Sequence, residues 1–321
     1  MNIVVFDHFD EIYADWEKLI ENVDNSPFIS PFWQKLWWEH FGEGDLYIAK
    51  IVDDKDIIGI APLYLNGNVA RFIGGTDLFD YQDLIFLKGY EELGVKAFLN
   101  HISKLYWDKI ELVSIPEDSL NLDLLKRFSE DYGFIFEDTN LETSPGEYLP
   151  GTWEEYISSL SKKNRHELRR KLKRIDSHGY KFYKSSKLDI LNSLPDFFRL
   201  HKLSSDDKSE FMTLEREQFF TEIAIHHIEK NQMNLSFLEM SGIRVATSFC
   251  FDYGSATYLY NSGFDRNFSS FSVGLICNAL VIQSSIQEGK NYFDFLRGDE
   301  RYKYHLGGVD KSVRKIVLHK K

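Results

Sequence analysis

Cysteine is scarce in this chain of 321 residues, which has only Cys250 and Cys277. Two cysteines supply neither a disulfide framework nor a thiolate metal site. Cys250 lies in a strand-like run and Cys277 in an apolar helix-like one, so both read as small core residues. No HExxH, CxxC, GxSxG or Walker loop occurs, so nothing points to a zinc enzyme or a hydrolase triad. His226 and His227 are adjacent; on a helix they point about 100° apart and do not share a metal. The opening residues, MNIVVFDHFDEIY, lack a basic leader and an apolar core, so no signal peptide is read there. The longest helix-like apolar stretch, Val273 to Ile282, is too short to span a bilayer. A soluble cytoplasmic protein without a membrane partner is expected. Positive charge is also short overall. The net charge of −12 argues against nucleic acid as a bulk partner, because phosphate binding wants a basic face.

The composition is otherwise that of a globular chain, with 43% hydrophobic and 27% charged residues, and it is long enough for two domains. Its charge is unevenly placed. Ser161 to Arg174 holds eight Lys or Arg against one Glu, a local charge of +7 that leaves −19 for the remainder.

Two stretches share one plan. Leu46 to Ile51, a polar turn, Ile57 to Leu65, Asn66-Gly67-Asn68 and Val69 to Ile73 read as strand, turn, longer strand, turn and strand, ending at Gly74-Gly75. Leu235 to Met240, Ser241-Gly242, Ile243 to Asp252, Tyr253-Gly254-Ser255 and Ala256 to Asn261 repeat that order and end near Gly263. Each is followed by a helix and a strand: 91–106 then 109–115 in the first half, 272–288 then 291–296 in the second. Further helices are expected at 31–41, 194–203 and 214–230. The self-similarity suggests two copies of one supersecondary unit. The linker is placed at Glu142 to Gly146, with Pro150-Gly151 beyond, which divides the chain into 1–145 and 146–321.

Three segments carry candidate chemistry. In Phe264 to Gly274, Ser269, Ser270 and Ser272 are potential helix caps, and Gly274 allows close approach of a ligand to the backbone. A helix N-terminus there suits a pyrophosphate, although serines cap helices in most proteins without binding anything. The basic helix begins at Ser161. Its cations form a solvated face, or Arg165 and Arg169, one turn apart, grip a phosphorylated ligand bidentately. In Asn291 to Lys303, Asp294 stands inside an aromatic strand, where a carboxylate is costly unless paired or at a site. Its charged end, Arg297 to Lys303, taken alone reads as a salt-bridged strand terminus.

Together, the serine-led basic helix, the G-F-D-x-x-F-x-S-x-x-x-G loop and the close EGKNYFDFLRGDERYK resemble the double-domain acyltransferases of the GNAT superfamily. That group includes sugar N-acyltransferases and exopolysaccharide-associated acetyltransferases, with Fem-type aminoacyltransferases as more distant relatives. The first half, through PFWQKLWWEHFG and IAPLYL, looks like the degenerate N-terminal copy. The resemblance implies an α/β fold of two tandem GNAT-like domains, each a twisted mixed sheet flanked by helices, with the last strand able to pack on the first domain. It also implies acyl transfer from acyl-CoA to an amine, the donor lying in the gap between two splayed strands with its pyrophosphate on a helix N-terminus.

Carried onto this sequence, the donor site is expected at Tyr258, Tyr260, Asn261, Ser269, Ser270, Ser272, Val273 and Gly274. The loop departs from the usual Q/R-x-x-G-x-G/A signature. Asp294, Tyr302 and His305 are candidates for the proton roles. Arg165, Arg169, Arg297 and Lys303 are candidates to hold a phosphorylated acceptor such as a nucleotide-linked amino sugar destined for a surface polysaccharide. No metal is implied, and twin domains favour a monomer. A Fem-type transferase drawing on aminoacyl-tRNA, and a non-catalytic binding protein, stand as alternatives.

Overall fold

The computed structural model describes residues 1–23 and 26–321. The chain opens with β1 (Asn2–Phe6), α1 (Tyr13–Ile20) and α2 (Pro31–Phe41), then β2 (Asp45–Asp53), β3 (Asp56–Asn66), β4 (Val69–Phe72) and β5 (Ile85–Phe86). After α3 (Glu91–Ile102) come β6 (Lys109–Pro116), α4 (Leu120–Phe128) and β7 (Phe134–Thr143). The second half runs β8 (Gly146–Tyr148), α5 (Trp153–Ser159), α6 (Lys162–Asp176), β9 (Lys181–Lys184), α7 (Ile190–Ser204), α8 (Asp206–Phe211) and α9 (Leu214–Glu229). It continues with β10 (Met233–Met240), β11 (Ile243–Tyr253), β12 (Ala256–Phe264), α10 (Val273–Gln287), β13 (Tyr292–Asp294), α11 (Arg301–His305) and β14 (Ser312–Lys320).

The chain divides into two compact units, Met1–Thr143 with Lys311–Lys321, and Ser144–Asp310. The first contains an eight-stranded sheet ordered β1-β2-β3-β4-β6-β14-β7, with β5 also on β3. The second contains a six-stranded sheet ordered β8-β13-β12-β11-β10-β9. Both are mixed sheets flanked by helices, and both repeat one scheme. An antiparallel meander ends in a parallel crossover through a helix: β4 to β6 by way of α3, and β12 to β13 by way of α10. Phe72, Phe98, Leu112 and Ile316 are buried in the first unit, and Leu168, Leu259, Ile282 and Phe293 in the second.

The second unit does not extend to residue 321 as the linker reading expected. β14 pairs with both β6 and β7 and so completes the sheet of the first unit. The strand expected over 291–296 shrinks to three residues, because Phe295 donates its amide to the carbonyl of Pro145 and Leu296 turns into the left-handed region at φ 58°. Helix α3 stops at Ile102 instead of 106, its end tightened by bonds from Lys104 to His101 and from Leu105 to Ile102. Helix α7 starts four residues before the expected position. Pro195 lies inside it, where its missing N–H leaves the carbonyl of the exposed Leu191 to be met by water. By contrast α2 begins and ends as its sequence dictates: Pro31 follows Ser30, whose hydroxyl accepts the Trp33 amide, and Gly42 closes the helix.

Three histidines of the second unit give it a pH dependence. Burial lowers His201 and His226 to about 4 and His227 to about 3. Each is neutral in the fold and takes up a proton in the unfolded chain, where the ordinary value is 6.5. Between those values the unfolded state binds more protons, so stability falls as pH drops through that range. Thermal unfolding followed from neutral to acid pH should show the midpoint falling below about pH 6.5; a flat midpoint would contradict the burial of these rings.

Candidate active site

The second sheet opens at β12 and β13. Their parallel pairing covers Ala256–Tyr258 against Tyr292–Asp294 and then ceases. β12 runs on to Phe264, with a bulge at Tyr260 where the register with β11 shifts between Phe249 and Cys250. β13 instead turns away. The Asp294 carboxylate, buried, accepts the Leu296 amide at 2.8 Å and holds the turn in which Leu296 and then Gly298 (φ 110°) take positive φ. Lys303 locks that turn from the other side. Its ammonium donates to the carbonyls of Leu296, Arg297 and Gly298 at 2.9, 2.6 and 3.1 Å and pairs with Glu300 at 2.9 Å. A wedge between two strands of one sheet results, with backbone groups on its β12 side.

Beyond β12, a single 3₁₀ segment, Arg266–Phe271, leads to the first turn of α10. Ser272 stands at the N-cap with φ 57° and makes no side-chain capping bond. The first-turn amides of Val273, Gly274 and Leu275 precede any intrahelical acceptor, so this end of the helix is an anion-attracting one. Ser269 and Ser270 lie in the preceding segment. Arg174, from the end of α6, donates to the Ser270 carbonyl at 2.8 Å and stacks over Phe271, which His178 meets edge-on. That puts a guanidinium beside the helix start. Gly274 has a different purpose from the one its position suggested. An ideal Cβ there would lie 2.8 Å from the Phe264 ring, so the glycine makes room for that ring.

A groove of about 230 Å³ adjoins this helix. Its lining comes from α6 (Lys163, Asn164, Glu167, Leu168 and Lys171), Leu275 of α10 and His305 of α11. The α6 residues recur at helical spacing and share one face. Leu168 packs into the core beneath them, and Asn164 ties the helix to α11 through the Tyr304 carbonyl at 3.0 Å. Arg165 and Arg169 are not on that face. Arg165 donates to the Ser158 carbonyl at the α5–α6 elbow, and Arg169 is exposed.

Of the expected residues, Tyr258 and Asp294 stand at the vertex of the wedge, Ser269 to Gly274 at the helix start, and His305 in the groove. Others turn elsewhere. The Tyr260 ring stacks on Phe220 in the core, and Asn261 meets buried His201 at 2.9 Å. Arg297 contributes its carbonyl to Lys303, and the Lys303 ammonium is engaged by main chain and Glu300. Tyr302 lies near Ser262 on β12, and burial raises its phenol well above the ordinary range, so it stays protonated. Lys163, Lys171 and Arg174 were not anticipated. The signal was present: 163, 167 and 171 share a stripe beside the apolar Leu168–Leu172 seam, which orients them, whereas arginine chemistry alone pointed to 165 and 169. Lys208 was not anticipated either; it reaches β12 from a short helix with no motif of its own.

Residues 162–304 match the family model described as an acetyltransferase (GNAT) domain. No curated protein sequence matches the chain. Among solved structures, FemX superposes with a TM-score of 0.66 at 13% identity, covering 98% of this chain and 97% of its own. L-PGS from Bacillus licheniformis gives 0.62 at 12% identity, with 96% and 91% covered. A tandem GNAT protein from the clavulanic acid biosynthesis pathway gives 0.52 at 10% identity, with 98% and 97% covered. At such identities the likeness is one of fold, and it extends over both units.

Proposed function

We propose that this double-domain protein of the GNAT superfamily transfers an acyl group from acyl-CoA to the amine of an amino sugar, a nucleotide-linked one used for surface polysaccharide. On this reading it works in the cytoplasm as a monomer. Among the described residues no helix is long and apolar enough to cross a membrane. The observation that carries the reading is the wedge between β12 and β13; the α10 N-terminus, with Arg174 beside it, follows β12 in the chain. An extended donor arm can add to β12 over the short stretch between the point where β13 leaves it, after Tyr258, and Ser262, whose carbonyl Lys208 already holds, and a pyrophosphate suits the helix start and its guanidinium. Lys163 and Lys171 in the adjoining groove supply the charge for further phosphates.

In the reaction the amine attacks the thioester carbonyl while main-chain amides polarise the carbonyl oxygen. The C–N bond forms as the C–S bond breaks. Tyr302, protonated and beside Ser262, is placed to give a proton to the leaving thiolate. His305, in the groove, is a candidate to carry protons to solvent. Asp294 acts through the turn it holds.

Replacing Arg174 with alanine is expected to raise the donor KM about tenfold, the loss of one charge-assisted phosphate contact, with the acceptor KM unchanged. Initial rates of thiol release from acetyl-CoA and longer acyl-CoAs, against a panel of nucleotide-linked amino sugars, measure both constants. An unchanged donor KM would remove Arg174 from the donor site. A second reading, transfer from aminoacyl-tRNA, is favoured by the whole-chain likeness to FemX and by a donor loop without the Q/R-x-x-G-x-G/A pattern. Transfer from charged tRNA, with no thiol release from any acyl-CoA, would decide for it.

A further inference from the structure

We propose that Lys208 is a catalytic residue of this site, the amine that takes the proton from the acceptor's ammonium group; this rests on the acyl-transfer reading above. Ser205 caps the short helix α8 through the Lys208 amide at 3.1 Å and aims the side chain at β12. There Nζ donates to the Ser262 carbonyl at 2.6 Å. One alternate position further along, Phe264 donates its amide to Ser204 at 2.8 Å. These two groups lie on the edge of β12 that faces away from β11, beyond the point where β13 departs. Lys208 and Ser204 occupy that edge at Ser262 and Phe264, so Lys208 stands at the end of the stretch that β13 leaves, beside where a donor arm and an attacking amine would meet. Tyr302 also lies near Ser262, so the proposed proton acceptor and the proposed thiolate donor stand by the same residue of β12.

The surroundings favour a neutral amine. Glu300 and Lys303, before and within α11, face Lys208 with opposite charges, and Lys303 is committed to Glu300 and three carbonyls. On α7, His201 is close and held neutral by burial, and Lys202 pairs with Glu217. Asp206 on α8 pairs with Arg266 at 3.5 Å. Burial lowers Lys208, Glu300 raises it and Lys303 lowers it again, to about 8. A lysine in that range is partly neutral at neutral pH and holds a proton strongly enough to take one from an ammonium. The acceptor R–NH₃⁺ gives one proton to Nζ and becomes R–NH₂. Its nitrogen then bonds the acyl carbon and the thiolate departs. The thiolate takes its proton from Tyr302, which recovers one from the second N–H lost as the amide forms, and Lys208 returns its own proton to solvent.

The test has two arms. In the first, kcat/KM for thiol release is followed from pH 6 to pH 9.5 in the wild type, Lys208→Met and Lys208→Arg, each checked by thermal melting. The wild type should rise to a plateau with a midpoint at about 8. Both variants should fall about 100-fold and lose that limb. Arginine keeps the charge and the Ser262 bond but does not accept a proton, so its failure separates proton transfer from charge. A Met variant within threefold of wild type, or one keeping the same limb, overturns the proposal. In the second arm, lysines are labelled competitively with acetic anhydride across the same pH range and read by mass spectrometry. Lys208 should label with a midpoint at about 8; a midpoint at the ordinary 10.5 overturns the proposal whatever the reaction. Labelling at about 8 in a protein that releases no thiol from any acyl-CoA overturns the acyl-CoA reading, and the catalytic role with it, while leaving the low-pKa amine in place.

Discussion

Replacing Lys303 with methionine is expected to destabilise the second unit by roughly 3–5 kcal/mol, because three main-chain carbonyls each lose a charged donor worth about 1–3 kcal/mol. Lys303 is 2% exposed and satisfies the carbonyls of Leu296, Arg297 and Gly298 together with the Glu300 carboxylate. Methionine has similar length and no donor. Three carbonyls then lose a strong partner where water has little access, and the turn that leads β13 away from β12 loses its lock. The loss should appear as a lower denaturant midpoint with the slope unchanged, and acyl transfer should fall with it even where the variant is folded. A methionine variant within about 1 kcal/mol of wild type would mean that the turn is held by Asp294 and its neighbours alone. Lysine fits here because its three donors converge from one point on three oxygens; the planar fork of arginine does not reproduce that geometry.

Gly263→Ala is expected to cost about 1–3 kcal/mol through overpacking, and to lower activity by displacing β12. A Cβ built on Gly263 lies 2.4 Å from the His201 amide nitrogen, 2.5 Å from the Leu200 carbonyl carbon and 2.6 Å from the His201 Cα. All three are main chain, so no side-chain rotation relieves the contact. Helix or strand must shift, and Ser262 with its bond to Lys208 sits one residue away. The control is Gly151→Ala, whose Cβ would approach nothing closer than 3.8 Å. Its melting temperature should match wild type. Equal stability of the two variants would mean that α7 and β12 do not approach as closely as described.

Much of the second unit was legible in the sequence because its signals are local. The meander from 233 to 264 alternates in apolar character and is punctuated by Ser241-Gly242 and Gly254, and α10 is a long apolar run closed by Gly289. The basic helix announced itself through Ser161 and its charge. The elements that escaped are those defined by distant partners. β8 has three residues and exists by pairing with β13, and β14, which the resemblance allowed to pack on the first unit, is alternating sequence whose place between β6 and β7 no local signal gave. The site was half legible for the same reason. Serines, arginines and an aspartate have chemistries that a reader can name, so they drew attention. Yet Asp294 and Lys303 turn inward to shape a bend, while the groove is lined by Lys163 and Lys171, whose roles depend on which face of α6 packs on Leu275. Spacing identifies a helix and its stripes, but which stripe borders a cavity is decided by tertiary contact.

The position of β14 has a consequence for how the chain comes into being. Arg314 meets Asp138 across 176 residues, and their strands lie side by side in the sheet of the first unit. A ribosome presents β6 and β7 long before the strand that belongs between them, and makes the whole second unit in the meantime. Until then, β6 and β7 each have an unfilled edge, the kind of surface on which strands of other chains add. The segment translated first thus closes last. Any delay in folding falls on the unit without the proposed active site.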